Sequence, residues 1–408
     1  MVINGERLLK HLYDLREFTA TPGEGVTRFS YSENDIKARE YIFKIAEDAG
    51  CTIDVDQLRN VRIGLKSNKP GKRTVVCGSH CDSVQNGGWL DGIYGVTSAL
   101  EVMLTLAEND FEGKYNYEMV IFAEEEGSNF GSTMTGSKFL IGQYTEENLD
   151  KLTDDNGKTL REYLGIEKLD DNIKWNFEDI KTMLEIHIEQ GPVLDREGIS
   201  VGIVDSIFGM RVIEVTIEGV GNHAGATPMR ERYDALCTAA ECILTAENMV
   251  KEDPDKRTVV TVGKMNLYPN QSNVIPEKVN FSLEVRDKDN DKINRFMDLI
   301  IEAVYGISEE RGVKATVKEH SSALPIHLND DVIARMTAIA ETEDFNFKVM
   351  DSGAVHDAAM IAQYADTGMI FVPSINGRSH VPEEDTKPED LIRGTAFLLD
   401  VVVNELNA

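Results

Sequence analysis

Cysteine is scarce in this sequence, and what there is does not pair into a framework. Cys51, Cys77, Cys81, Cys237 and Cys242 are odd in number and form no CxxC motif, which argues against a disulfide scaffold. No apolar run reaches the roughly 18 residues that a membrane span needs. The opening stretch, MVINGERLLKHLYDL, carries acids and a helical period rather than a basic stretch followed by a long apolar one, so no signal peptide is expected. Positive charge is in short supply as well: 42 Lys and Arg stand against 71 Asp and Glu, a formal net charge of −29. That balance excludes nucleic acid and anionic membranes as natural partners. No internal repeat or low-complexity segment is present. These absences leave a cytoplasmic globular protein as the expectation, and 408 residues are too many for one comfortable core, so two domains are expected.

What is present reads as α/β. RTVVCGSHCDS (73–83) is a buried-strand pattern, GVTSALEVMLTLAEN (95–109) has helical spacing, and YEMVIFAEEE (117–126) is another apolar strand. Strand, helix and strand in that order predict a parallel βαβ unit covered on both faces. From about residue 211 the texture changes. RVIEVTIEG (211–219) alternates, DALCTAAECILTAENMV (234–250) is helical, and TVVTVGKMNLY (258–268) and KVNFSLEVRD (278–287) alternate again. DKINRFMDLIIEAVYGI (291–307) is helical and VKATVKEH (313–320) closes with a strand. This βαββαβ order predicts a ferredoxin-like unit. The expected organisation is one discontinuous α/β domain, 1–210 and 322–408, carrying an inserted domain at 211–321.

In open α/β sheets, functional groups gather beyond the carboxyl ends of the strands. His80 sits at one such end, Glu125 and Glu126 at another, and Asp91 lies between a glycine-rich turn and the next helix. An imidazole with carboxylates suits zinc or manganese. Cys81 is read as a bystander, because adjacent strand residues face opposite ways. Further candidates come from the eight histidines: His187 in MLEIHIEQGP, His380 in NGRSHVPEED, His223 in GVGNHAGATP and His356 in SGAVHDAAM. His11, His320 and His327 receive no role. A histidine or acid pair at a strand end also has a plain structural reading. What favours a metal is the ordered series GxHxDS, LDGxxGV, EEG, HIEQGP and GxSH.

The segments GSHCDSVQNGGWLDGIYGV, EEEGSNF, HIEQGPVLD, GNHAGATPMRERYDAL, SNVIPEKVNFSLEVRD, SGAVHDA and GRSHVPEED resemble the carbamoyl-amidohydrolase branch of the aminoacylase/carboxypeptidase metallopeptidase superfamily. That branch comprises N-carbamoyl-L-amino acid hydrolases, allantoate amidohydrolases and β-ureidopropionases. The resemblance implies a zinc-peptidase-like catalytic domain whose inserted domain serves as lid and dimerisation element. It implies two divalent ions per subunit, zinc or manganese, on His80, Asp91, Glu126, His187 and His380, with Asp91 as the bridge. Glu125 matches the general base. His223 matches an oxyanion-binding histidine that reaches the active site from the other subunit, hence a homodimer. Asn273 and Arg286 match the substrate-carboxylate binders, Gln190 faces the ureido group, and His356, with Asp357, sits near the site.

The resemblance implies hydrolysis of a ureido C–N bond in a small carboxylate, such as an N-carbamoyl-L-amino acid or allantoate, with release of ammonia and carbon dioxide. A dipeptide or N-acyl amino acid as substrate, and a non-catalytic metal-binding protein, stand as alternatives. His223 also reads as a turn histidine, Arg286 as a strand-end charge and Arg232 as a structural partner of Asp234 or Glu231. Two departures from the pattern touch neither ligand nor base: Asn129 where the family has arginine, and Val355 where it has glycine. Glu124 reads as a solvated surface acid.

Overall fold

The computed structural model describes residues 1–170 and 172–408. Six strands come first: β1 (Thr52–Val55), β2 (Val61–Gly64), β3 (Thr74–His80), β4 (Asn116–Phe122), β5 (Ile180–Ile188) and β6 (Val201–Ile207). A second group follows: β7 (Gly209–Glu218), β8 (Val259–Thr261), β9 (Met265–Tyr268), β10 (Lys278–Asp287) and β11 (Lys314–Ala323). The chain ends with β12 (Ile326–His327), β13 (Phe347–Ser352) and β14 (Thr367–Val372). It divides into two compact units, one of residues 1–205 with 327–408 and the other of residues 206–326.

The first unit is a mixed α/β structure on a nine-stranded sheet ordered β1-β2-β4-β3-β5-β14-β6-β12, with β13 paired to β6. Its centre, β4-β3-β5-β14, is parallel, and antiparallel strands extend it on both sides. Every residue of β3 and β14 is buried, because helices cover both faces of a parallel sheet. The helix Ile93–Glu108 is buried almost all round; its polar stripe is buried too, with Ser98 hydrogen-bonded to Thr395 and Glu101 accepting from Arg7. Its N-cap, Gly92, has φ +64 and ψ −52, a conformation that L side chains rarely adopt and that costs them roughly 1–3 kcal/mol.

The second unit has one sheet ordered β11-β7-β10-β8, with β9 also on β10. The helices Ala235–Lys251 and Asn290–Glu310 supply its core with Ala239, Cys242, Ala246, Ile293, Phe296, Met297 and Ile300. They meet Ile213, Val215 and Ile217 of β7 and Val279, Phe281, Leu283 and Val285 of β10. These are the alternate positions that period-2 patterning selects, each side chain contributing roughly 1.5–3 kcal/mol on burial. The segment 258–268, continuous in its alternation, is interrupted: β8 and β9 pair with separate stretches of β10.

Candidate metal centre

The parallel strands deliver their carboxyl ends to one place. β3 ends at His80, β4 leads directly into Glu124, Glu125 and Glu126, and β5 carries His187 one residue before its end. His80 Nδ1 lies 3.0 Å from the Asp82 carbonyl, and His187 Nδ1 lies 2.9 Å from the Ile188 carbonyl. Each ring thus anchors one nitrogen on the main chain and turns Nε2 toward Asp91, the orientation typical of metal-ligating histidines.

Asp91 divides its two oxygens. Oδ1 lies 3.4 Å from His80 Nε2 and 3.1 Å from His187 Nε2. Oδ2 lies 3.2 Å from His380 Nε2, which in turn is 3.5 Å from Glu126 Oε2. Two triads therefore share Asp91: His80–Asp91–His187, and Asp91–Glu126–His380. In each, the candidate ligand atoms lie within 4.8 Å of one another. Nitrogen and oxygen donors in this mixture suit zinc and manganese alike.

The electrostatics favour a cation. Burial penalises a charged His80, yet Glu125, Asp91 and Asp82 outweigh it and raise its pKa well above the ordinary histidine value. His187 is raised by Asp91 against the same burial. The hydrogen bond to Asp91 lifts His380 to about 9. Burial works to raise Asp91, but His187, His380 and His80 hold it well below the usual carboxylate range. Burial pushes Glu126 up to about 7 and Glu125 well above a normal glutamate. Crowded acids of this kind draw positive charge onto the imidazoles, and a dication would supply it directly. Glu126 Oε1 is buried with no hydrogen-bond partner among the described residues. Such an orphaned acceptor is costly unless something else meets it, and the donor set fits a divalent metal.

Glu125 lies with Oε2 3.8 Å from His80 Nε2. Asp82, absent from the candidates drawn from sequence, holds the acid turn: its two oxygens accept the N–H groups of Glu125 at 3.3 Å and Glu126 at 3.1 Å. Its place two residues after His80 was the available signal. Gln190 has φ +60 and donates from Nε2 to Asp91 Oδ2 at 2.8 Å, while its Oε1 is buried with no partner among the described residues. His356 is buried, with Nε2 3.1 Å from Ser352 Oγ and its ring 4.7 Å from that of His187. Burial keeps its pKa well below the usual value. Asp357 accepts from Ser137 Oγ at 2.5 Å, and burial raises it to about 8.

Glu124 corrects the sequence reading. It is fully buried, not solvated. Its Oε1 accepts the N–H groups of Asn129 at 3.0 Å and Phe130 at 3.3 Å, and Asn129 Nδ2 donates to its Oε2 at 3.3 Å. The left-handed turn at Glu124, φ +53, directs its side chain into the protein. Asn129, the departure from the family pattern, thus tucks against Glu124 and also donates to the Ser30 carbonyl.

His223, Asn273 and Arg286 belong to the second unit. His223 is exposed in a turn, with Nδ1 accepting from Gly225 and Ala226 N–H. The turn is bridged to Val274, and the Asn273 carbonyl accepts from Ala224 N–H at 2.9 Å. Arg232 donates to the Ala224 and Thr227 carbonyls, so it braces this turn rather than pairing with Asp234 or Glu231. Arg286, near the end of β10, donates to Glu284.

The model of peptidase family M20/M25/M40 matches residues 76–404. An N-carbamoyl-L-amino-acid amidohydrolase of Paenarthrobacter aurescens is 36% identical over 401 residues, 97% of each chain. A ureidoglycolate hydrolase of Oryza sativa subsp. japonica is 34% identical over 405 residues, covering 97% of this chain and 84% of its own. Among solved structures, an amidase of the hydantoinase/carbamoylase family from Burkholderia multivorans superposes with a TM-score of 0.90 at 32% identity. That match covers 100% of this chain and 99% of the other.

Proposed function

The chain belongs to peptidase family M20/M25/M40, and from that premise we propose that it is a dinuclear metal-dependent amidohydrolase. Its reaction is cleavage of the ureido C–N bond of a small carboxylate substrate, such as an N-carbamoyl-L-amino acid or allantoate, with release of ammonia and carbon dioxide. The observation that carries the proposal is the division of Asp91 between two triads. A shared anion offsets the repulsion of two neighbouring dications. His80 and His187 complete one site, Glu126 and His380 the other. When bound, two zinc or manganese ions supply Lewis acidity and lower the pKa of water toward 7.

The chain's own residues do the rest. Glu125 accepts a proton from the attacking water and returns it to the leaving nitrogen. Its neighbour Glu126 is engaged in metal binding, so the adjacent acids have separate work. Gln190, held against Asp91, leaves its carbonyl oxygen for a ureido N–H. Asn273 and Arg286 take the substrate carboxylate, for which a planar guanidinium is suited, and His223 donates to the developing oxyanion. His356 supports the substrate side of the site through its contact with the His187 ring. The inserted unit is assigned the ferredoxin-like lid and dimerisation role, supported by its βαββαβ order, and the working form is a homodimer. Similarity to an N-carbamoyl-L-amino-acid amidohydrolase and to a ureidoglycolate hydrolase favours a ureido over a peptide bond.

No helix among the described residues is long and apolar enough to cross a membrane. All five cysteines are free thiols, which supports a cytoplasmic location for this enzyme. The test is a panel of N-carbamoyl amino acids, allantoate, ureidoglycolate, 3-ureidopropionate and dipeptides, offered to zinc- and manganese-loaded protein and read by ammonia or amine release. No ammonia from any ureido compound would sink the proposal. Glu125→Gln is expected to retain both ions while turnover falls by at least ~100-fold; turnover at the wild-type level would remove Glu125 as the base.

A further inference from the structure

Glu384 lies outside both triads, yet it joins the loops that carry them. Its Oε1 accepts the main-chain N–H groups of Leu90 at 2.9 Å and Asp91 at 3.0 Å. Its Oε2 accepts from Ser379 Oγ at 2.8 Å, and the same hydroxyl lies 3.0 Å from Asp91 Oδ2. The side chain is 1% exposed. Gly88 packs directly against its carboxyl group, so that a β-carbon at Gly88 would overlap the carboxylate. Gly88 has no positive φ; its missing side chain provides space rather than conformational freedom.

Two segments 293 residues apart thus meet on one carboxylate. One presents Asp91 and the other presents His380, which directly follows Ser379. His380 holds φ +58, a left-handed conformation that costs a non-glycine residue roughly 1 kcal/mol or more and persists only where its surroundings enforce it. We infer that Glu384 is a positioning residue for the Asp91–Glu126–His380 triad, fixing the Asp91 loop and the His380 loop to each other through hydrogen bonds. The inference rests on the dinuclear reading above. A tie that served folding alone would lower stability with and without metal equally, and would leave the metal affinity of the folded protein unchanged.

The test is a Zn2+ titration of the full chain against a chromophoric chelator, with Co2+ absorption as a second readout of ligand geometry. Wild-type protein is expected to take two ions per chain. Glu384→Ala and Gly88→Ala should weaken the ion on Glu126 and His380 by about 10–100-fold, the range typical of lost outer partners, and the ion on His80 and His187, which shares Asp91, by clearly less. Glu384→Gln can keep Oε1 on the two N–H groups and offer Nε2 to Ser379 Oγ, and should stay within about 3-fold of wild type. Gly88→Ala displaces Glu384 without deleting it, so it carries the test if Glu384→Ala fails to fold, and the reverse also holds. Unchanged affinities in a folded variant, or equal weakening of both ions, overturns the inference while the dinuclear reading stands. Wild-type protein that takes fewer than two zinc ions overturns both.

Discussion

At the residue scale, three adjacent glutamates share a composition and nothing else. Glu125 and Glu126 face the candidate metal centre, whereas Glu124 turns inward to gather the N–H groups of Asn129 and Phe130. The motif around Glu125 and Glu126 singled those two out in the sequence. Glu124 was not, because the reversal comes from its left-handed backbone, φ +53, which no periodicity encodes. Asp82 and Glu384 escaped for a related reason: they act on main-chain N–H groups, and sequence names no partner for such a bond. Burial raises the Glu124 pKa to about 8. The folded chain therefore keeps a proton that the unfolded chain releases above its ordinary value near 4.5, so this residue's contribution to stability is present below about pH 4.5 and is lost as pH rises toward 8. Glu124→Gln keeps an acceptor for the two N–H groups and removes that loss. In metal-free protein, urea unfolding at pH 5 and pH 9 should show the variant gaining about 1 kcal/mol or more relative to wild type at the higher pH. An equal difference at both pH values would exclude Glu124 as the titrating group.

At the element scale, the parallel sheet was readable because its strands are buried on both faces and its connecting helix carries apolar residues at helical spacing. The placement of His80 and the acid pair beyond strand ends followed from that topology. The break between β8 and β9 was not readable, since alternation runs unbroken through 258–268 while the pairing partner on β10 changes. One glycine links element to site. Gly92 caps the helix Ile93–Glu108 with φ +64, and a β-carbon there would overlap the His80 imidazole. Gly92→Ala should therefore do two separable things. It should cost about 1–3 kcal/mol of stability from the backbone alone, and it should displace His80 from the Asp91 oxygen it shares with His187. Zinc stoichiometry after dialysis is expected to fall, with kcat/KM down by about 100-fold for a misplacement near 1 Å. Full zinc occupancy and unaltered kcat/KM in the folded variant would show that His80 does not depend on this close approach.

At the scale of the whole molecule, the residues assigned to the reaction are divided between two compact units. The five candidate ligands and Glu125 lie in the first, and His223, Asn273 and Arg286 in the second. Within its own unit His223 is exposed and accepts only local N–H groups through Nδ1, leaving Nε2 for a group outside its turn. If the working form is a homodimer in which His223 serves the partner's metal centre, complementation between inactive chains distinguishes that arrangement from service within one chain. Glu125→Gln and His223→Ala chains, each inactive alone, are unfolded, mixed in equal amounts and refolded with metal. In a mixed dimer the His223→Ala subunit retains its Glu125 and receives an intact His223 from the other chain, so one of its two sites works. Random pairing in a twofold dimer then returns about a quarter of wild-type activity per chain. Service within one chain returns none, because every centre lacks either its base or its oxyanion donor.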